Sequence, residues 1–291
     1  MSITHRDFFM EKIHKIYRLL QAFSADVVVG SCLMCWLTSY LLQVNTPLPI
    51  YVCLGVTVWL IYTIDHLIDA KEIEGKAITL RHYLHQKHFN LLSYIWITLF
   101  TVTLTLSLFT LSEKTIYYGV GVAGVVVVHL FLVKLLGNRL SVFIQKELGV
   151  ALGYTLGVVF GPISISSTLS GFIWIYCAQV LLLALINLHL FSYFDYETDV
   201  QQNQTSISRN VGKKTAEKII ISLLFAFAIL QVVSIFFFSK DMPYGIQLIL
   251  FSMYIALVII FKFRRFFKKN DWYRIVGDGV FMFPLLLFLL A

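Results

Sequence analysis

Apolar stretches of about twenty residues, each long enough to cross the roughly 30 Å hydrocarbon core of a bilayer, recur along almost the whole chain. Nine can be placed, at about 24–43, 47–66, 90–111, 115–136, 147–167, 171–193, 216–238, 243–262 and 275–290. With 58% of the 291 residues hydrophobic and only 13% charged, the chain cannot present the polar surface that a soluble globular domain needs. The runs are spread throughout, so a soluble enzyme with one anchor is excluded as well. The expected fold is an all-α integral membrane protein, one polytopic domain over residues 1–291. Residues 1–22 interleave Arg6, Lys12, Lys15 and Arg18 with Phe8, Phe9, Ile13, Ile16 and Leu20, the pattern of an interfacial amphipathic helix.

The formal charge of +7 does not imply a nucleic-acid partner, because the bases sit in short clusters between apolar runs. With the N-terminus in the cytoplasm, all but Lys114 and Lys240 of the 23 Lys and Arg fall on the cytoplasmic side. The segment 261–274, FKFRRFFKKNDWYR, reads as an interfacial belt against anionic lipid, with Arg274 in a local ion pair with Asp271 and Asp278. Cys32, Cys35, Cys53 and Cys177 all lie in apolar runs and behave as small hydrophobes, so no disulfide framework is expected.

Against this apolar background four carboxylates stand out. Asp65 and Asp69 end the second run, and Asp195 and Asp199 follow the sixth, four helices later. The i, i+4 spacing puts each pair on one helix face, one turn apart. Both pairs lie where the helix dipole is negative, which costs each anion about 0.3–1 kcal/mol. Carboxylates held there repel one another unless a cation joins them, and oxygen ligands favour Mg²⁺. Four aspartates and an allylic diphosphate of about three negative charges would be balanced by two Mg²⁺ and three basic side chains. The matched positions imply two four-helix-like repeats around a central cavity.

At these residues the sequence resembles the UbiA superfamily of intramembrane prenyltransferases. The first motif is YTIDHLIDAKEIEGKAITLRH. The second, YFDYETDVQQNQTSISRNVGKKTA, has Asp195, Glu197 and Asp199 in a D-x-[DE]-x-D pattern, followed by Thr205, Ser206 and Gly212. KELGVALGYTLGVVFG is similar to the segment opening the family's fifth helix and places the family's lysine on Lys146. The resemblance implies a nine-helix bundle that moves a polyprenyl group from its diphosphate to a hydrophobic acceptor, aromatic or quinone-precursor, within the membrane. It implies Mg²⁺ on Asp65, Asp69, Asp195 and Asp199, with Arg81, Lys146 and Lys213 on the diphosphate. Aromatic rings lining the cavity would stabilise an allylic cation.

The chain departs from the family pattern at three points. Ile61 stands where the motif has Asn, His82 follows Arg81 where Pro is common, and Glu147 follows Lys146 where Arg is. Asn187, eight residues before Asp195, is the candidate to replace the missing Asn, and Ile61→Asn is expected to point its amide at the metal. His66, beside Asp65, either contacts the diphosphate or caps the helix end. A second class of function is a diverged, non-catalytic protein that binds lipid, transports or assembles. A third is a His-box membrane di-iron oxidase, suggested by His66, His82, His85 and His88.

The charge asymmetry makes a direct prediction of topology. Reporter fusions at Lys71 and Gln204 should read as cytoplasmic and a fusion at Ala291 as periplasmic or extracellular, in the inner membrane if the cell is bacterial. A cytoplasmic Ala291 would contradict the helix count.

Overall fold

A computed structural model describes residues 16–73, 75–136, 146–167, 170–202, 204 and 206–290. Residues 1–15 of the expected interfacial helix, and Thr205, lie outside the described residues. Helix α1, Ile16–Ala22, meets α2, Ala25–Leu41, at a 73° bend where Ser24 takes a left-handed backbone, φ 56°. There follow α3 (Leu48–Glu72), α4 (Leu80–Lys87), α5 (Phe89–Thr110), α6 (Glu113–Leu136), α7 (Lys146–Ile165), α8 (Phe172–Gln201), α9 (Ile207–Val211), α10 (Lys213–Phe238) and α11 (Tyr244–Lys262). A short α12 (Arg264–Phe267) and a 3₁₀ turn lead into α13 (Trp272–Gly279).

Every apolar run is helical, but the last differs from expectation. A 3₁₀ segment, Val280–Leu286, separates α13 from α14, Leu287–Leu290. Pro284 lies inside it, and a proline both lacks an N–H and collides with the carbonyl four residues back, so a continuous α-helix is disfavoured. Among the described residues six helices, α3, α5, α7, α8, α10 and α11, are each long and apolar enough to cross a membrane; α1 and α2 make a seventh if they form one broken span. These features describe an integral membrane protein.

Lipid tails give helices no hydrophobic reason to associate, so close backbone approach and interhelical hydrogen bonds must hold the bundle. Gly149, Gly153, Gly157 and Gly161 recur every fourth residue along α7. A Cβ on Gly153 would lie 2.8 Å from Val126 of α6, and one on Gly161 would lie 2.7 Å from Ile50 of α3. The stripe therefore seats α7 between the two. Polar links tie other helices. Gln179 of α8 donates to Gln231 of α10 at 2.8 Å, and Gln231 in turn reaches the Gln247 carbonyl of α11 at 3.3 Å. Thr38 of α2 bonds Tyr176 of α8 at 3.0 Å, and Trp96 of α5 donates to the Leu60 carbonyl of α3 at 2.8 Å.

The two carboxylate pairs lie on two long helices, α3 and α8. At 1.5 Å per residue the 30 residues of α8 run about 45 Å, longer than the hydrocarbon core, so one end must pass beyond it. Asp195 and Asp199 lie in its last turns, as Asp65 and Asp69 do in α3. A short helix follows each: α4 after α3, α9 after α8.

Replacing Gly161 with Leu should destabilise the detergent-solubilised protein by about 1–3 kcal/mol, the usual cost of overpacking. The same change at Gly119, which faces open space, should leave the melting temperature unaltered. Equal melting shifts for the two variants would contradict the packing described.

Candidate functional site

A cavity of about 550 Å³ opens where α1, α2, α3, α4, α7, α8 and α13 converge. Its lining includes Asp65, Asp69, Asp195 and Asp199, so the two pairs share one space although they come from distant parts of the chain. Arg81, Lys146, Asn187 and His66 line it too. Lys213 is not among the lining residues. Its ammonium lies 3.4 Å from Glu197 and over the rings of Tyr193 and Tyr196, and Lys268 pairs with the same Glu197 at 2.6 Å. The acidic residue between Asp195 and Asp199 is thus occupied on the exposed face of α8.

Each pair has a cation against it. Lys146, the first residue of α7, places its ammonium 2.6 Å from Asp65 and 3.5 Å from Asp69. Asp195 is held by the hydroxyl of Tyr273 and the guanidinium of Arg274, both on α13. Arg274 was expected to pair locally, but Asp271 instead meets Arg18 of α1 at 2.7 Å, leaving Arg274 to bridge α13 to α8. Gly277 permits that approach, since a Cβ there would lie 2.5 Å from Asn187 Oδ1 and 2.7 Å from the Phe191 ring. An arginine at the edge of an apolar run was the sequence signal for this contact, because such a charge seeks a buried partner.

Arg81 supplies the third cation. Thr79 caps α4 by accepting from the His82 N–H at 3.4 Å, which fixes the first turn that carries Arg81. The Arg81 side chain lines the same cavity as both carboxylate pairs. Burial lowers its pKa from the ordinary value, and its Nε is buried with no hydrogen-bond partner. An unsatisfied buried donor is costly, and an anion in the cavity would remove that cost.

Three histidines back this region. The His66 ring lies 5.8 Å from that of His82 and 5.0 Å from that of His85, centroid to centroid. Burial and then the Arg81 charge push the His82 imidazole down to about 2, and burial lowers His85, so both are neutral near pH 7. With these rings neutral, the positive charge of the cavity comes from Arg81, Lys146 and Arg274, together with Arg18, which is paired with Asp271. His85 Nδ1 donates to the Arg81 carbonyl at 2.8 Å, holding the turn that presents Arg81.

Two departures from the motif acquire a physical meaning. Ile61 is 37% exposed and does not line the cavity; Tyr62 does. The expectation that Ile61→Asn would face the metal is therefore corrected. Four residues advance an α-helix by about 400°, so the facing set drifts, and Tyr62, Asp65, His66 and Asp69 form the stripe at i, i+3, i+4 and i+7. Glu147 reaches across to the loop after the second pair, accepting from the Ile207 N–H at 2.8 Å. It anchors α9 beside Asp199, a structural use for the residue that replaces the motif arginine.

Among the described residues no three His, Cys, Asp or Glu side chains converge closely enough to hold a metal by themselves. That does not disqualify Mg²⁺, which ordinarily takes one or two carboxylates and completes its shell with water and substrate phosphates. The partly buried carboxylates lining the cavity fit such a role.

No family model matches the sequence, and no curated protein matches it. Solved structures do. A UbiA homologue from Aeropyrum pernix K1, solved in the apo state, is 12% identical with a TM-score of 0.63, over 90% of this chain and 97% of that one. A UbiA homologue from Archaeoglobus fulgidus bound to DMAPP and Mg²⁺ is 14% identical with a TM-score of 0.60, over 93% of this chain and 97% of that one. The chain shares the UbiA fold along nearly its whole length.

Proposed function

We propose that this protein is a diverged UbiA-type prenyltransferase. It transfers a prenyl group from its diphosphate to a hydrophobic, aromatic or quinone-precursor acceptor inside the membrane. The observation that carries the reading is Arg81, with an unpaired buried Nε–H in the cavity that both aspartate pairs line. A ligand that satisfies this arrangement is polyanionic and brings divalent cations with it. The neighbour from Archaeoglobus fulgidus, bound to DMAPP and Mg²⁺, supports that choice. In this reading nine spans form two four-helix units and a final segment, within one membrane unit whose aspartate motifs and N-terminus face the cytoplasm.

Arg81, Lys146 and Arg274 would bind the diphosphate and neutralise the charge that grows on it as the allylic C–O bond lengthens. Asp65, Asp69, Asp195 and Asp199 would hold Mg²⁺, which when bound supplies further positive charge to the leaving diphosphate. Lys146, against Asp65 and Asp69, would turn its ammonium to a diphosphate bound beside them. Tyr62, Tyr154, Phe191 and Phe281 line the rest of the cavity. Their apolar edges keep water from the allylic cation, and their π faces attract it until a carbon or heteroatom of the acceptor attacks.

A second reading, a non-catalytic lipid-binding, transport or assembly protein, draws on the same Lys146 contacts, which offset part of the charge of the first pair. Turnover separates the two. Purified protein given labelled DMAPP and an acceptor panel should form product only with Mg²⁺. Asp69→Asn and Asp199→Asn should each lower kcat by about 10²–10³-fold, in line with losing a charge-stabilising group. Arg81→Met should weaken donor binding by about tenfold or more. Donor binding that ignores Mg²⁺ and all three substitutions would overturn the proposal.

A further inference from the structure

The cavity contains a second polar group that diphosphate chemistry leaves unused. Asp26 opens α2 just past the bend at Ser24, and Asp278 lies near the end of α13. Both line the cavity. Asp26 is only 4% exposed; its Oδ1 accepts from the Val27 N–H at 2.9 Å and its Oδ2 is buried with no partner. The two carboxyl groups face one space. Close packing of the final segment on α2 brings them together, for a Cβ on Gly30 would lie 3.0 Å from that of Phe281.

Asn187 of α8 lies beside Asp278, also 4% exposed, with its Oδ1 buried and unpaired. Nearby Arg274 is committed to Asp195, and Gln21, whose amide Nε2 is buried and unpaired, lines the same cavity. Tyr62, on the stripe that carries Asp65 and Asp69, lines the cavity together with Asp26 and Asp278, so this group adjoins the donor site. The unused atoms are mainly hydrogen-bond acceptors, with one amide donor among them. They match a hydroxyl or amino group, which can donate to the oxygens and, as a hydroxyl, accept from Gln21. A carboxylate brings only acceptors and would leave the Asn187 oxygen unpaired.

We propose that Asp26, Asp278 and Asn187 form the subsite that recognises the prenyl acceptor, and that the acceptor presents a hydroxyl or amino group there in place of a carboxylate. The proposal rests on the prenyltransferase reading and names the substrate class that reading leaves open. If an acid of this pair is ionised beside a bound hydroxyl, it draws density toward the attacking atom by accepting its proton in a hydrogen bond.

Equilibrium binding tests this independently of turnover, using hydroquinone and 4-hydroxybenzoate, aromatic probes that differ by a hydroxyl against a carboxylate. The wild-type protein should bind hydroquinone at least tenfold more tightly. Asp26→Asn and Asp278→Asn should erase most of that preference while DMAPP binding with Mg²⁺ stays within about twofold, which also verifies folding. Tighter binding of 4-hydroxybenzoate, no binding of hydroquinone, or a preference unchanged in folded variants would overturn the proposal. Should neither variant fold, the wild-type preference decides alone. Failure of DMAPP to bind the wild type would instead sink the donor site, since the hydroquinone measurement needs no donor.

Discussion

Carboxylates at the ends of two membrane helices cannot stand without cations, and much of the site follows from where those cations come from. In a medium of low dielectric an uncompensated charge costs several kcal/mol, far more than an exposed pair returns. Lys146 is delivered by α7, Arg274 by α13 and Arg81 by α4, three elements that reach the aspartates of α3 and α8 from different parts of the chain. Electrostatic demand at one end of the bundle therefore helps to specify which helices meet there.

Packing makes the meeting possible. The glycine stripe of α7 lets it settle against α6 and α3, so that its first residue, Lys146, arrives over Asp65. Gly277 does the same for α13 against α8, bringing Tyr273 and Arg274 to Asp195. Glu147 then ties α7 to the start of α9, linking the two carboxylate regions through the backbone as well as through charge. The resulting cavity is polar at Arg81 and the two aspartate pairs and aromatic at Tyr62, Tyr154, Phe191 and Phe281. That division suits a substrate with a charged head and an apolar tail.

Much of this was legible in the sequence because the relevant signals are local. Helix positions follow from apolar runs of fixed length, and the aspartate pairs stood out because charge is rare at such places. What depends on distant contacts was not legible. Arg274 was expected beside its sequence neighbours, whereas its partner Asp195 becomes a neighbour only after α13 folds onto α8. Lys213, adjacent to the second motif in sequence, points to Glu197 and lies outside the cavity lining. Ile61 failed for a geometric reason: repeated steps of four drift around a helix, and over two turns the drift is enough to move a side chain off the face. The last run looked like a helix in composition, but Pro284 breaks it.

The central claim is that the two aspartate pairs act as one site built around a diphosphate and its metal. Electron–nuclear double resonance of the protein with Mn²⁺ in place of Mg²⁺ tests it most directly, since oxygen ligands of this type accept either ion. Addition of DMAPP should produce a ³¹P coupling to the bound Mn²⁺, and that coupling should vanish in both Asp69→Asn and Asp199→Asn. Bound Mn²⁺ that shows no ³¹P coupling, or a coupling that survives loss of either pair, would contradict the account.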